Sequence, residues 1–324
     1  MNTKIKRWDY SPKKYGLASQ NEPARDCLIE CNVRLYPDML QAYKKFAELF
    51  HLGMDQFILC NGGENAMKQA LLAIKPKDLT WFVPTWKMPE VFCAALDIEP
   101  IMKEFKYDPE ARQIYTPDLE KGGDCFYSNY SNSSLFHYEG RTEHSLFGWN
   151  KNFKTTIIDL TYLNFKEMQM VMQADHILEN ENAILIGSFD KLIGGGLRLG
   201  FVVFNKKWND KMQLQREQYI NMCAYNWLLR TLPMDLKNWN SNPLQQRLYD
   251  ECFPNLPPDW SFNNNRITVP YHVEANLNEV HFEIDGKQFT KFGIPQESDK
   301  ESLDKLFWIL KDLMFEKEIP HDSE

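Results

Sequence analysis

Lys191 stands in "SFDKLIGGGLRLGFVV" (Ser188–Val203), between a buried apolar run, Ala183–Gly187, and three glycines. A lysine at the end of a buried strand is desolvated, which lowers its pKa and makes the amine nucleophilic; on a surface it is an ordinary solvated cation. Asp159 closes another apolar run, "TTIID". A carboxylate there is costly to bury unpaired, so it reads either as the partner of a cation or as a helix N-cap. Ser188 and Arg198 flank the lysine, and an arginine grips an oxyanion through two parallel N–H groups. Gly62-Gly63-Glu64 opens a helical pattern, where bare backbone N–H groups hold an anion or simply turn the chain. Trp86, after Pro84-Thr85, either stacks on a flat ligand or packs in a core. Asn129, Ser131 and Asn132 lie in "SNYSNSS" and either bind a ligand oxygen or satisfy a turn.

Singly, each residue has a structural explanation. Together they meet one chemical specification. Gly62, Gly63, Glu64, Ser188 and Arg198 form an anion cradle, and Trp86 supplies a stacking ring. Asp159 is an acid for a ring nitrogen, Asn132 and Tyr162 donate to a phenolic oxygen, and Lys191 forms an imine. A ligand with a phosphate, an aromatic ring, a ring nitrogen, a phenolic oxygen and an aldehyde is pyridoxal 5′-phosphate. No metal is expected: the seven cysteines are scattered and form no CxxC pair.

Such residues need elements to bring them together. Short apolar runs at Gln56–Cys60, Leu79–Val83, Asp124–Ser128, Thr155–Leu160, Ala183–Phe189 and Leu197–Phe204 alternate with helical stretches. That alternation predicts an α/β fold with a mainly parallel sheet between helices. Polar residues cluster just after the runs, where open α/β sheets bind ligands. The last third differs: a long helical pattern over 205–232, an Asn- and Pro-rich stretch (238–265), then weak strands at Arg266–Val273 and Val280–Ile284. A closing helix follows a capping box of Ser298 and Glu301, with Leu303, Leu306, Phe307, Leu310 and Leu313 on one face. The reading is a large cofactor-binding domain over 35–230 and a small α+β domain from 1–34 and 231–324.

The chain has 324 residues and a formal net charge of −8, which argues against nucleic-acid binding. It has no apolar run of membrane-spanning length and no apolar leader, so a cytoplasmic setting is expected.

The order and spacing of seven motifs resemble the fold-type I aminotransferases of class I/II, nearest to the histidinol-phosphate aminotransferase branch. "ASQNEP" is similar to the family's opening motif and implies a substrate contact for Asn21. "RLYPD" implies that Tyr36 reaches the cofactor phosphate of a neighbouring subunit, hence a homodimer. "NGGENA" resembles the phosphate turn, and "VPTWKMPEVF" places Trp86 at the stacking position. "NYSNSS" puts Asn132 at the oxygen-binding position, and "IIDLTYLNF" supplies Asp159 and Tyr162. "SFDKLIGGGLRLGF" supplies Ser188, Lys191 and Arg198. The resemblance implies an aminotransferase moving an amino group between an amino acid or related amine and a 2-oxo acid through a Lys191 Schiff base.

Departures from the pattern bear on the reaction. The prolines of the Asn loop are Tyr130 and Ser133, and the acid after Asp159 is replaced by Leu160. The family's C-terminal arginine, which grips the substrate carboxylate, has no counterpart in "TKFGIPQES"; Lys291 is the nearest cation there. That loss keeps a decarboxylase of the phosphothreonine type as an alternative, with a non-catalytic relative as a third reading. Asp190 replaces the usual serine before the lysine. A carboxylate ~5 Å from a phosphate is repelled by roughly 3 kcal/mol per unit charge at an effective dielectric of about 20. Asp190 is therefore expected to point away or to face a cation.

Overall fold

A computed structural model of the chain describes residues 38–110, 112–117, 119, 122–129, 152–163, 165–173, 180–190, 197–230, 260–263, 266–277, 279–293 and 300–315. The first part holds β1 (Phe57–Cys60), β2 (Asp78–Val83), β3 (Glu99–Glu104), a hairpin of β4 (Lys106–Asp108) and β5 (Gln113–Tyr115), β6 (Cys125–Asn129), β7 (Thr155–Asp159), β8 (Ala183–Ser188) and β9 (Gly200–Phe204). Its helices are α1 (Met39–Phe50), α2 (Gly63–Ile74), α3 (Met88–Leu96), α4 (Phe165–Gln173), α5 (Asn209–Gln213) and α6 (Met222–Arg230).

Seven of these strands form one sheet in the order β1-β9-β8-β7-β6-β2-β3. From β3 to β8 all pairings are parallel. β9 is antiparallel to both its neighbours, so β1 runs in the same direction as β8. The strands other than β3 are buried on both faces because their side chains alternate between two cores. Phe57, Leu59, Ile158, Leu185 and Phe201 face α1, α4 and α6. Ile58, Cys60, Tyr127, Ile157 and Ile186 face α2, α3 and α5.

α1 forms where Met39, Ala42, Tyr43, Phe46, Leu49 and Phe50 repeat at three- and four-residue spacing. Asp38 caps it, Oδ1 accepting the Leu40 N–H at 3.1 Å. Phe46 and Phe50 are fully buried, and such a side chain contributes about 1.5–3 kcal/mol of burial. α2 buries Ala66, Ala70 and Ala73, whose small side chains let it lie close to β8 and β9.

Several elements depart from expectation. β3 is an edge strand with Glu99, Pro100, Lys103 and Glu104 largely in water, so no apolar run marks it. β4, β5 and the strand at Lys287–Gly293 are equally unmarked. The helical pattern over 205–232 is broken: a 3₁₀ turn (Lys206–Trp208) and α5 come first, then an irregular stretch up to α6.

A second, all-antiparallel sheet runs β10-β11-β13-β12: β10 (Ser261–Asn263), β11 (Arg266–Val269), β12 (Glu279–Ile284) and β13 (Lys287–Gly293). Asp285 and Gly286, at φ 49° and 78°, turn β12 into β13, as tight hairpins require. α7 (Lys300–Phe315) lays Leu303, Leu306, Phe307 and Leu310 on Ile267, Val269 and Phe292, with Leu313 at the margin. Asp285 accepts from the Tyr107 N–H at 2.8 Å and from Lys106 Nζ at 3.0 Å. Phe282 and Phe289 join Phe82, Phe105 and Phe126 in one apolar cluster. Ser298 and the expected domain boundaries near 34 and 231 lie outside the described residues.

Candidate active site at the carboxyl edge of the sheet

Because β6, β7 and β8 are parallel, Asn129, Asp159 and Ser188 emerge at one edge, Asn129 opposite Asp159 and Asp159 opposite Ile186. β1 ends there too, delivering Asn61 and Gly62. β9 begins there, Gly200 pairing with Ser188 on one side and Cys60 on the other. The structure places Gly62, Gly63 and Glu64 after β1, Asp159 and Ser188 at the ends of β7 and β8, Tyr162 in the turn after β7, and Arg198 just before β9. Trp86 follows β2 and is partly buried against the α2–α3 core. Lys291 is on β13 of the second sheet, opposite Thr268 and Val280. Asn21, Tyr36, Asn132 and Lys191 lie outside the described residues.

One half of the edge has groups suited to an anion. Gly62, at φ 85°, is the N-cap of α2, and no side chain caps that helix. Its first N–H groups therefore remain available to a ligand. A Cβ on Gly62 would lie 2.7 Å from the Arg198 guanidinium carbon, and one on Gly63 would lie 3.2 Å from Ser188 Cβ. Arg198 donates through Nη1 to Asp190 Oδ2 at 2.8 Å and through Nη2 to the Asn61 carbonyl at 3.4 Å. Glu64 Oε2 is 4.0 Å from Nη2. Asp190 thus faces a cation, one of the two outcomes expected of it. Ser188 Oγ accepts the Asp190 N–H at 3.0 Å and keeps its own proton for another acceptor.

The other half is built around Asp159, which is 3% exposed. Its Oδ1 accepts the Thr161 N–H at 2.9 Å and its Oδ2 accepts the Tyr127 hydroxyl at 2.8 Å. The carboxylate therefore caps the turn after β7 and is also held by a buried phenol. Burial pushes the Tyr127 phenol well above its ordinary pKa, and the Asp159 charge adds to the rise, so Tyr127 remains a donor. Tyr162 is buried in the turn beside it. Asn129 lies close enough to the Tyr127 hydroxyl to oppose that rise. Yet neither of its amide atoms makes a well-formed hydrogen bond among the described residues, and the same holds for Thr85 Oγ1. Buried polar atoms in that condition are suited to a ligand.

Two positioning groups escaped the sequence reading. Tyr127 sits inside an apolar run, and its only sign is a hydroxyl where Phe would pack equally well. Asn61 is clamped by Glu217, which accepts both its backbone N–H (3.1 Å) and its side-chain amide. Asn61 Oδ1 in turn accepts the Asn221 N–H at 2.7 Å. The clamp fixes the stretch between α5 and α6 to the start of the cradle. Among the described residues, no cluster of His, Cys, Asp and Glu has the makings of a metal site, and no helix is long and apolar enough to cross a membrane.

No protein-family model matches the chain, and no curated protein sequence does. Solved structures do. The chain is similar to the histidinol-phosphate aminotransferase from Clostridium acetobutylicum (TM-score 0.68, 15% identity, 92% of this chain and 98% of that one). It is similar to the L-threonine-O-3-phosphate decarboxylase from Porphyromonas gingivalis (0.62, 16%, 92% and 98%). A third is the N-succinyldiaminopimelate aminotransferase from Mycobacterium tuberculosis (0.61, 12%, 94% and 91%). Identities this low speak to architecture, and a shared architecture hosts several reactions. In architecture, the chain has the fold of the fold-type I pyridoxal-phosphate aminotransferases.

Proposed function

We propose that the chain is a pyridoxal-phosphate-dependent aminotransferase acting on an amino acid or related amine and a 2-oxo acid. The observation that carries this reading is the buried Asp159 carboxylate at the carboxyl end of β7, oriented by Thr161 and Tyr127. A carboxylate held in that way suits a protonated ring nitrogen. Ser188 and the N–H groups of Gly63 and Glu64 suit a phosphate, Trp86 suits the face of the ring, Tyr162 suits its phenolic oxygen, and Asn129 and Thr85 have polar atoms to spare. Bound there, pyridoxal phosphate supplies an aldehyde that condenses with amines and a ring that accepts the electron pair released at the substrate Cα.

Within this reading, Lys191 is the amine that anchors the cofactor and the base that takes and returns the substrate Cα proton. Asn132 adds a donor to the ring oxygen, and Asn21 and Lys291 meet the substrate. Residues 35–230 are the cofactor domain. Residues 1–34 with 231–324 are the small domain. Tyr36 reaches into the partner's site of a cytoplasmic homodimer. Full-length protein incubated with pyridoxal phosphate should gain a visible absorption band. Lys191→Ala should lack that band and still bind the cofactor non-covalently. An identical spectrum in the variant contradicts the assignment.

One observation favours a second reading. Lys291, a point charge rather than a bidentate fork, stands where the family's carboxylate-gripping arginine is expected, and one similar structure is a decarboxylase. Amino-donor half-reactions separate the two: transamination leaves the pyridoxamine form, whereas decarboxylation releases CO₂ and restores the starting spectrum.

A further inference from the structure

We propose that Asp190 is a resident counter-anion of the phosphate cradle, so that the site gains little affinity from the cofactor's phosphate. This rests on the cofactor reading above. An arginine contributes to phosphate selectivity by presenting its N–H fork to the anion. Here both terminal nitrogens of Arg198 already have protein acceptors: Asp190 Oδ2 at 2.8 Å on Nη1, and the Asn61 carbonyl at 3.4 Å on Nη2. Glu64 stands a further carboxylate at 4.0 Å from Nη2. The described charged side chains of the cradle are thus one cation and two carboxylates.

The placement of Asp190 matters as much as its charge. Its side chain is 9% exposed, against 41% for Arg198. Oδ2 lies 3.1 Å from where a Gly62 Cβ would be, on the same side as the guanidinium. The carboxylate therefore sits under the turn whose N–H groups would receive the phosphate. Its backbone is tied to Ser188 Oγ at 3.0 Å, which keeps the side chain close to the cradle. A phosphate that approaches Arg198 shares the guanidinium with a short, charge-assisted contact and lies beside the Asp190 carboxylate, which repels it. The ring-binding half of the site, centred on Asp159, is untouched by this repulsion.

The test compares wild type, Asp190→Ser and Asp190→Asn as full-length proteins. Asn keeps the shape and removes the charge, so it carries the comparison if the serine variant folds poorly. Equilibrium dissociation constants for pyridoxal phosphate and for unphosphorylated pyridoxal are read from tryptophan fluorescence. The stabilising effect of inorganic phosphate is read from thermal unfolding. Wild type should bind the two pyridoxal forms with similar affinity and gain no stability from inorganic phosphate. Each variant should bind pyridoxal phosphate about tenfold tighter or more, the scale of one charge-assisted contact, with pyridoxal unchanged, and should be stabilised by inorganic phosphate. Variants that bind pyridoxal phosphate no more tightly than wild type overturn the proposal. If no protein binds either pyridoxal form, the cofactor reading fails. The inorganic-phosphate arm then still decides on Asp190: a response in the variants alone supports its role, and equal responses overturn it.

Discussion

The Tyr127 hydroxyl donates to Asp159 Oδ2 at 2.8 Å, and both residues are almost wholly out of water. The pair joins adjacent strands, β6 and β7, and fixes the direction in which the carboxylate points. Tyr127→Phe keeps the ring and removes the donor. A hydrogen bond to a charged group contributes about 1.5–3 kcal/mol, so chemical unfolding should show a loss of that order. Pyridoxal should also bind less tightly, because Asp159 is less firmly aimed. Unchanged stability and unchanged pyridoxal affinity would contradict the role given to Tyr127.

Gly200 is where β9 meets the cradle. A Cβ there would lie 2.4 Å from the Gly62 carbonyl oxygen and 2.5 Å from its carbon, and a backbone cannot yield as a flexible side chain does. Gly200→Ala should cost about 1–3 kcal/mol, the usual range for overpacking, measured as a lowered denaturation midpoint.

The hairpin turn of the second sheet predicts a pH effect. The Tyr107 N–H and then Lys106 hold the Asp285 carboxyl below its usual 3.8. A depressed folded-state pKa stabilises above the unfolded value, and the contribution is lost as pH falls through the folded one. Asp285→Asn should therefore destabilise the protein at neutral pH. The difference from wild type should shrink below about pH 4, the ordinary carboxyl range. Denaturation midpoints across pH test this; a difference that grows on acidification would contradict it.

The same physics explains which parts of this arrangement could be read in the amino-acid sequence. β1, β7, β8 and β9 are buried on both faces, so each is a run of apolar residues that announces itself. β3 is an edge strand, and β13 carries Lys287, Gln288 and Lys291, so neither has such a run. Leu303, Leu306, Phe307 and Leu310 marked α7 because one face of a helix must meet a core. Asp159, Ser188 and Arg198 stood out as costly polar residues at strand ends. Their partners did not. Tyr127 reaches Asp159 from a different strand, and Glu217 reaches Asn61 from 156 residues away. Such pairings exist only once the sheet order does. Asp190 shows the limit well: its charge said that it points away from a phosphate or faces a cation, and only the pairing of β8 with β9 identified Arg198.

The most direct test of the account is to trap the cofactor on the chain. Full-length protein is loaded with pyridoxal phosphate, reduced with borohydride, digested and mapped by mass spectrometry. One pyridoxyl-phosphate group on Lys191 is the predicted result. An adduct spread over other lysines, or none at all, would contradict the account.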